Sequence, residues 1–407
     1  MANGEGNRMA TGMSEERLAR IAGHVDHYVE EGRFPGAACL VSRGGEETFF
    51  HATGLRDVER EVPVSRDTVF RLYSMTKPIT SVALMMLYEE GRFQLDDPVS
   101  KYIEAWSDLE VFAGGDEERY LTHKPDAPMT IKHLLTHTSG LTYGFMNEHP
   151  VDVMYGRARV TGSDSGGTLN DTIEKLARIP LKFAPGTKWN YGGSTDVCGY
   201  LVEQFSGLAL DEFVAERIAG PLGMVDSGFH VRPGTEGRFA ACYQYVAPAA
   251  YRLQDDPESS RYLERPTFFS GGGGMVGTID DYHRFAKMLL GKGQLDGTRL
   301  LGRKTLEYMT SNHLPGNCDL AAMGQPVFSE TPYEGIGFGL GFSVVIDPAA
   351  ANVLDSPGEF AWGGAASTYF WVDPVEELIV VFMTQLLPSS TYPIRRELKT
   401  LAYQALV

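Results

Sequence analysis

The stretch Ser74-Met75-Thr76-Lys77 decides how this chain is read: Ser74 is its only serine with a lysine three residues downstream. Three residues are about one helical turn, so both side chains project from one face of a helix. An apolar run follows (Ile79, Val82, Ala83, Leu84, Met85, Met86, Leu87), which marks the helix as buried. A serine at such a helix start gains from the free N–H groups and the positive end of the helix dipole. Pro78 fits in the first turn, where a missing N–H costs little. A lysine one turn along, drawn into a low-dielectric site, is placed to act as a base. This is the S-x-x-K arrangement of nucleophilic serine enzymes.

Working outward, residues 14–32 carry apolar positions at Leu18, Ile21, Ala22, Val25 and Val29, a helical period that ends near Gly32. Residues 37–42 and 47–51 flank Gly44-Gly45, which predicts a β-hairpin. From Ser74 to about Ala219 the pattern is mainly helical, interrupted by loops rich in Gly, Pro and Asp at 113–128 and 161–169. Residues 340–346, 368–372 and 378–384 read as strands, and 393–406 as a terminal helix. Strand signals at both ends and helical signals between them predict an α+β fold. One antiparallel sheet, built from both termini and packed by the terminal helices, carries an inserted helical region. We expect an α/β domain of residues 1–85 and 266–407, a mainly helical domain of 86–265, and a site in the cleft between them.

At 407 residues the chain can bury a large core, and 43% hydrophobic with 22% charged residues is ordinary for a globular protein. A net charge of −17 argues against a nucleic-acid or anionic-membrane partner. No run approaches the roughly 18 apolar residues that span a bilayer. Cys39, Cys198, Cys242 and Cys318 are far apart and form no metal or redox motif, so they read as free thiols. Residues 1–13 are polar and Gly-rich and lack the apolar core of an export signal, so a cytoplasmic protein is expected.

Two further segments carry chemistry. Trp189-Asn190-Tyr191-Gly192-Gly193-Ser194-Thr195-Asp196 follows a turn (Phe183-Ala184-Pro185-Gly186) and precedes an apolar helix over 197–205, which Thr195 or Asp196 would cap. Tyr191, with little bulk after it, is free to point into a cleft. Trp362-Gly363-Gly364-Ala365 lies just before the strand at 368–372. Paired glycines entering an edge strand let another group approach the backbone, and an exposed N–H there can bind a developing oxyanion.

Together the three segments resemble the class C β-lactamase and penicillin-binding superfamily, and most closely its family VIII carboxylesterases. Ser74 and Lys77 match the S-x-x-K box, and Tyr191 the tyrosine of the Y-x-N or Y-S-x box. Trp362-Gly363-Gly364 takes the place of the K-T-G box. His133-Leu134-Leu135-Thr136-His137-Thr138-Ser139-Gly140-Leu141 and residues 271–274 before Thr278 are lesser landmarks, and the likeness runs from about residue 15 to 406.

The resemblance implies a β-lactamase/transpeptidase-like fold and an acyl-enzyme formed on Ser74, with Lys77 and Tyr191 sharing the proton work. Which of the two is the base is left open. It also implies an oxyanion hole from the N–H groups of Ser74 and Ala365, with Tyr143, Trp362, Gly363 and Gly364 contacting substrate. Two departures stand out: Trp362 replaces a lysine that would attract a β-lactam carboxylate, and Gly193 replaces an asparagine. Both favour neutral short-chain esters, with β-lactam hydrolysis weak or absent. An acyltransferase, a β-lactamase and a non-catalytic scaffold of the same fold are the alternatives. No cofactor is expected.

Other signals point elsewhere less well. His133 and His137 have a zinc-compatible spacing but no glutamate between them and no third ligand, so no metal is expected and hydrogen-bonding roles are. Gly272, Gly274 and Gly277 spell G-x-G-x-x-G without a surrounding βαβ unit and read as a flexible loop near the cleft. No G-x-S-x-G occurs, which argues against an α/β-hydrolase.

Overall fold

The computed structural model describes residues 12–160, 166–248, 250–324 and 333–407. Most of the expected N-terminal polar segment, and residues 161–165 of the expected loop at 161–169, lie outside the described residues.

The N-terminal helix α1 spans Glu15–Glu30 and is capped by the Ser14 side chain. The hairpin forms as β1 (Gly36–Arg43) and β2 (Glu46–Asp57), turning through Gly44 and Gly45, both at positive φ. With β3 (Val62–Pro63) they make one side of an eight-stranded antiparallel sheet. The other side comes from the end of the chain: β4 (Ile336–Phe338), β5 (Ser343–Val345), β6 (Phe360–Gly363), β7 (Tyr369–Asp373) and β8 (Leu378–Thr384). The order is β4-β5-β6-β7-β8-β1-β2-β3, so β8 pairs with β1 and joins the two ends of the chain.

Every residue of β8 is buried, because both faces of the sheet are covered. Alternate residues of β1 and β8 point to opposite faces, as the strand period requires. Cys39, Val41, Val380 and Phe382 pack with α1 and with the C-terminal helix, Ile394–Tyr403. Leu40, Val381 and Met383 pack into the larger core that holds the helices Thr76–Glu89 and Ile279–Leu290. In chain order those helices are α2 (Thr76–Glu89), α3 (Ser194–Ser206), α4 (Ile279–Leu290) and α5 (Ile394–Tyr403). Residues 76–87 of α2 are all buried, so that stretch has no solvent face, as the apolar residues from Val82 to Leu87 predict.

Several expectations need correction. Within residues 113–128 a hairpin forms from Val111–Gly115 and Tyr120–His123, because Gly114 and Gly115 sit in the strand rather than breaking it. The strand expected at 340–346 shrinks to Ser343–Val345, since Gly339 and Gly341 (φ 98°) make a tight turn before it. Strands β4 and β6 are not legible in the sequence; both are short, with a glycine at the centre of β4 and at the end of β6. The strand beginning at Tyr369 is not an edge strand, because β6 and β8 flank it. A small sheet of Leu386–Leu387, Cys242–Ala247 and Ala250–Asp255 has no clear pattern in the sequence either.

Helix α5 is pinned to the sheet by a buried ionic cluster. Lys399 Nζ contacts the carboxylates of Asp355 and Glu359, and Tyr403 donates a hydrogen bond of 2.7 Å to Asp373. Burial works against the Lys399 charge, but Glu359, with Tyr369 and Asp355, overrides it and raises its proton affinity. Burial in turn pushes the Glu359 carboxyl well above the carboxylate range. Lys399→Ala strands buried acidic groups and is expected to cost about 3–5 kcal/mol, read as a lower denaturation midpoint. Among the described residues all four cysteines are unpaired, and no helix is long and apolar enough to cross a membrane.

Candidate active site

Ser74 lies in a single 3-10 turn, Tyr73–Met75, that runs straight into α2, so its side chain stands at the mouth of a buried helix. Tyr73 just before it has φ 45°, a left-handed conformation rare for a bulky residue and concentrated at functional sites. Lys77, one turn on and 2% exposed, donates from Nζ to Ser74 Oγ at 3.1 Å and to the Gly272 carbonyl at 2.7 Å.

Tyr191 reaches the same oxygen from the other side, its hydroxyl donating to Ser74 Oγ at 2.6 Å. The loop before α3 is locked by its own backbone. Asn190 N–H donates to the His137 carbonyl, Gly193 N–H to Thr142, and the Ser139 and Ser194 hydroxyls share a bond of 2.8 Å. Gly192 is obligatory: a Cβ there would come within 2.5 Å of the Leu141 carbonyl oxygen. The Tyr191 ring is held by Trp189, Trp362 and His137, with Lys77 Nζ 4.4 Å from its centre.

This zipper also sets Tyr143 against Tyr191, ring centres 5.5 Å apart, with Lys77 Nζ 5.5 Å from the Tyr143 ring. Burial, reinforced by Tyr191 and Asp196, holds the Tyr143 phenol far above its usual range, so it stays a neutral hydroxyl. Among the described residues no cluster of ligating side chains meets His133 or His137. His133 Nδ1 accepts from the Thr130 N–H, as expected of a structural histidine. His137 Nδ1 has no hydrogen-bond partner among the described residues; burial and Lys77 keep the ring neutral, and it packs among Trp189, Tyr191 and Phe338.

The third segment closes the site. Gly363 and Gly364 do admit close neighbours: a Cβ on Gly363 would lie 2.6 Å from the Arg395 guanidinium carbon, and one on Gly364 2.4 Å from the Leu72 carbonyl oxygen. Strand β6 therefore abuts the turn that carries Ser74. Arg395 donates to the Gly364 and Thr368 carbonyls at 2.9 and 3.2 Å. Among the described residues neither the Ser74 nor the Ala365 N–H donates to another protein group, which leaves both for an incoming oxygen.

These groups open on a cavity of about 830 Å³ lined by Ser74, Tyr143, Tyr191, Trp362, Gly363, Gly364 and Ala365. Phe145, Phe229, Phe268 and Tyr333 extend its apolar wall. Sequence reasoning missed Arg395, Asp196 and Phe268 as wall residues. For Arg395 and Phe268 no local pattern marks them. The sequence offers Thr195 or Asp196 as the helix cap; the cap position is Gly193, and Asp196 turns inward.

A half-buried serine hydroxyl with two proton-handling neighbours and two unspent N–H donors defines the class of serine acyl-transfer enzymes. The chain belongs to the Beta-lactamase family, which matches residues 21–404. It is 34% identical over 386 residues to Esterase EstB of Burkholderia gladioli, covering 90% of each chain. EstCE1, described as a hydrolase with promiscuous acyltransferase activity, superposes with a TM-score of 0.80 at 28% identity, over 95% of this chain and 99% of that one. The simvastatin synthase LovD of Aspergillus terreus does so with a TM-score of 0.80 at 25% identity, over 96% and 97%. The expected fold and the family VIII side of the superfamily are those the comparisons give.

Proposed function

We propose that the protein is a serine carboxylesterase that forms an acyl-enzyme on Ser74, a reading carried by the paired hydrogen bonds of Lys77 and Tyr191 on one serine oxygen. Ser74 Oγ attacks the ester carbonyl and its proton passes to the Lys77–Tyr191 pair. The carbonyl oxygen, now negative, takes the Ser74 and Ala365 N–H groups, whose fixed direction favours the transition state over the flat ester. The pair returns the proton to the departing alkoxide. Water then adds to the acyl-enzyme through the same steps in reverse roles, releasing the acid and restoring Ser74. The similarity to Esterase EstB supports ester hydrolysis.

Residues 1–85 with 266–407 supply Ser74, Lys77 and residues 362–365, and residues 86–265 supply Tyr143 and Tyr191. We keep that division into two domains, and a cytoplasmic location, as parts of the same reading. Trp362 gives the wall an apolar face where a lysine would draw an anion, which supports ester over β-lactam turnover. The test is hydrolysis of p-nitrophenyl acetate, butyrate and octanoate beside nitrocefin. Activity on the short esters with nitrocefin slower is expected; nitrocefin turnover matching the butyrate ester overturns the ranking.

A cavity of about 830 Å³ exceeds what an acetyl or butyryl group fills, so one side of the ester is bulky. The same volume admits an acyl acceptor other than water, and EstCE1 and LovD favour this second reading of acyl transfer. Ester formation outpacing hydrolysis when an alcohol competes would establish it. Tyr143→Ala enlarges the wall beside Ser74 and is expected to raise KM or shift chain-length preference about tenfold. Unchanged kinetics across the ester series would remove Tyr143 from the pocket.

A further inference from the structure

The glycine run at 271–274 lines the cleft, but it is tied down rather than flexible. Thr80 Oγ1 donates to the Gly271 carbonyl at 2.9 Å, Lys77 Nζ to the Gly272 carbonyl at 2.7 Å, and Met275 N–H to Thr76 Oγ1 at 3.1 Å. Residues 76, 77 and 80 share one face of α2, so the run lies along that helix. The remaining tie comes from α3. Asp196 Oδ1 accepts the Gly272 N–H at 2.9 Å and the Ser270 hydroxyl at 2.7 Å.

Asp196 is a costly residue to keep there. It is 1% exposed, and its Oδ2 has no hydrogen-bond partner among the described residues. Burial pushes its carboxyl above the usual range, against the pull of Ser270, Gly272 and Lys77. Helix capping does not account for it, since Gly193 holds that position. What it does hold is Gly272, whose carbonyl is one of two acceptors of the Lys77 Nζ. Glycine has wide backbone freedom and no side chain to fix its carbonyl direction. A side chain would also crowd the site: a Cβ at 272 would lie 3.0 Å from the Tyr143 hydroxyl and 3.2 Å from Asp196 Oδ1, so both would have to give way. In this glycine the orientation is imposed through the N–H.

We propose that Asp196 is a positioning residue of this centre: Oδ1 clamps Gly272 from α3, and the Gly272 carbonyl in turn holds Lys77 Nζ on Ser74. Asp196 acts through two intervening groups and touches no reacting atom. The assignment rests on the hydrolase reading above. It explains why a buried carboxylate, a glycine and a serine meet behind the lysine.

The test compares wild type, Asp196→Asn, Asp196→Ala and Ser270→Ala by p-nitrophenyl butyrate kinetics, normalised to sites titrated with a fluorophosphonate. Asp196→Ala is expected to lower kcat about a hundredfold per titrated site with KM within about threefold, the scale of a misplaced catalytic group. Asp196→Asn keeps an oxygen that accepts both bonds and is expected to recover most of that loss, staying within about tenfold of wild type. Ser270→Ala removes one of the two donors and is expected to cost about threefold in kcat. Wild-type kcat in Asp196→Ala overturns the proposal, and so does Asp196→Asn falling as far as Asp196→Ala. Should Asp196→Ala fail to fold by circular dichroism, kcat unchanged in both Asp196→Asn and Ser270→Ala overturns it. Absence of ester turnover or of fluorophosphonate labelling in wild type would instead sink the hydrolase reading, so the two failures are distinguishable.

Discussion

Ser74→Ala is expected to abolish ester hydrolysis, with a fall in kcat of about 10⁴-fold or more, while leaving the fold and ligand binding intact. The argument is local. Ser74 is the oxygen on which Lys77 and Tyr191 converge, and among the described residues no other nucleophile shares those two partners. The variant removes one oxygen from the cavity floor, so packing changes little. Its backbone N–H remains at position 74, and the Ala365 N–H is untouched, so the oxyanion donors persist. Binding of a non-hydrolysable ester analogue should therefore stay within a few-fold of wild type. Retained turnover in this variant, with folding checked by circular dichroism, would end the acyl-enzyme mechanism. Loss of both turnover and analogue binding would show that Ser74 shapes the cavity rather than reacting in it.

The parts of the fold legible in the sequence were those with a strong period or a strong break. Helix α1 has apolar positions at a helical spacing and a serine cap, and β1 and β2 flank a Gly-Gly turn. Strand β8 is an unbroken apolar run because both its faces are covered. The elements that escaped, β4, β6 and the hairpin within 111–123, contain glycines that the same rules read as loop. There the sheet or a close neighbour overrides local propensity. Gly363 lies within β6 and Gly364 just past its end because Arg395 and the Leu72 carbonyl occupy the space of a side chain, a fact of tertiary packing.

The same division holds at the site. Ser74 and Lys77 are separated by one turn, so their meeting is a local property that spacing reveals. Tyr191 and Ala365 come to the same point from distant segments, and only the joint pattern of three motifs connected them. Asp196 was visible as an acid after a glycine pair, and its local reading as a cap was reasonable. Its real partners, Ser270 and Gly272, are more than seventy residues away, beyond any spacing argument. Arg395 is nearer in sequence to the strand it supports, 31 residues from Gly364, yet the helical period that placed α5 correctly says nothing about which side chain meets β6.

Tyr191→Phe is expected to lower kcat by about 10²–10⁴-fold, the range for losing a positioned acid–base group, with KM little changed. The substitution is unusually clean. The phenyl ring keeps its packing against Trp189, Trp362 and His137, and Lys77 Nζ keeps the aromatic face 4.4 Å away. Only the hydroxyl bonded to Ser74 Oγ at 2.6 Å is lost. That makes the variant a measure of what the phenol contributes to moving the serine proton. Lys77 remains on Ser74 at 3.1 Å, so a mechanism in which the lysine alone takes the proton would survive nearly intact. A fall of a hundredfold or more therefore assigns the tyrosine a necessary share of proton transfer. Retention of more than about a tenth of wild-type kcat would leave Lys77 as the sufficient base and reduce Tyr191 to a wall of the site. Measuring acylation by a fluorophosphonate alongside steady-state turnover separates the steps. An equal fall in both places the phenol in the attack by Ser74, whereas normal labelling with slow turnover places it in the protonation of the leaving alcohol or the attack by water.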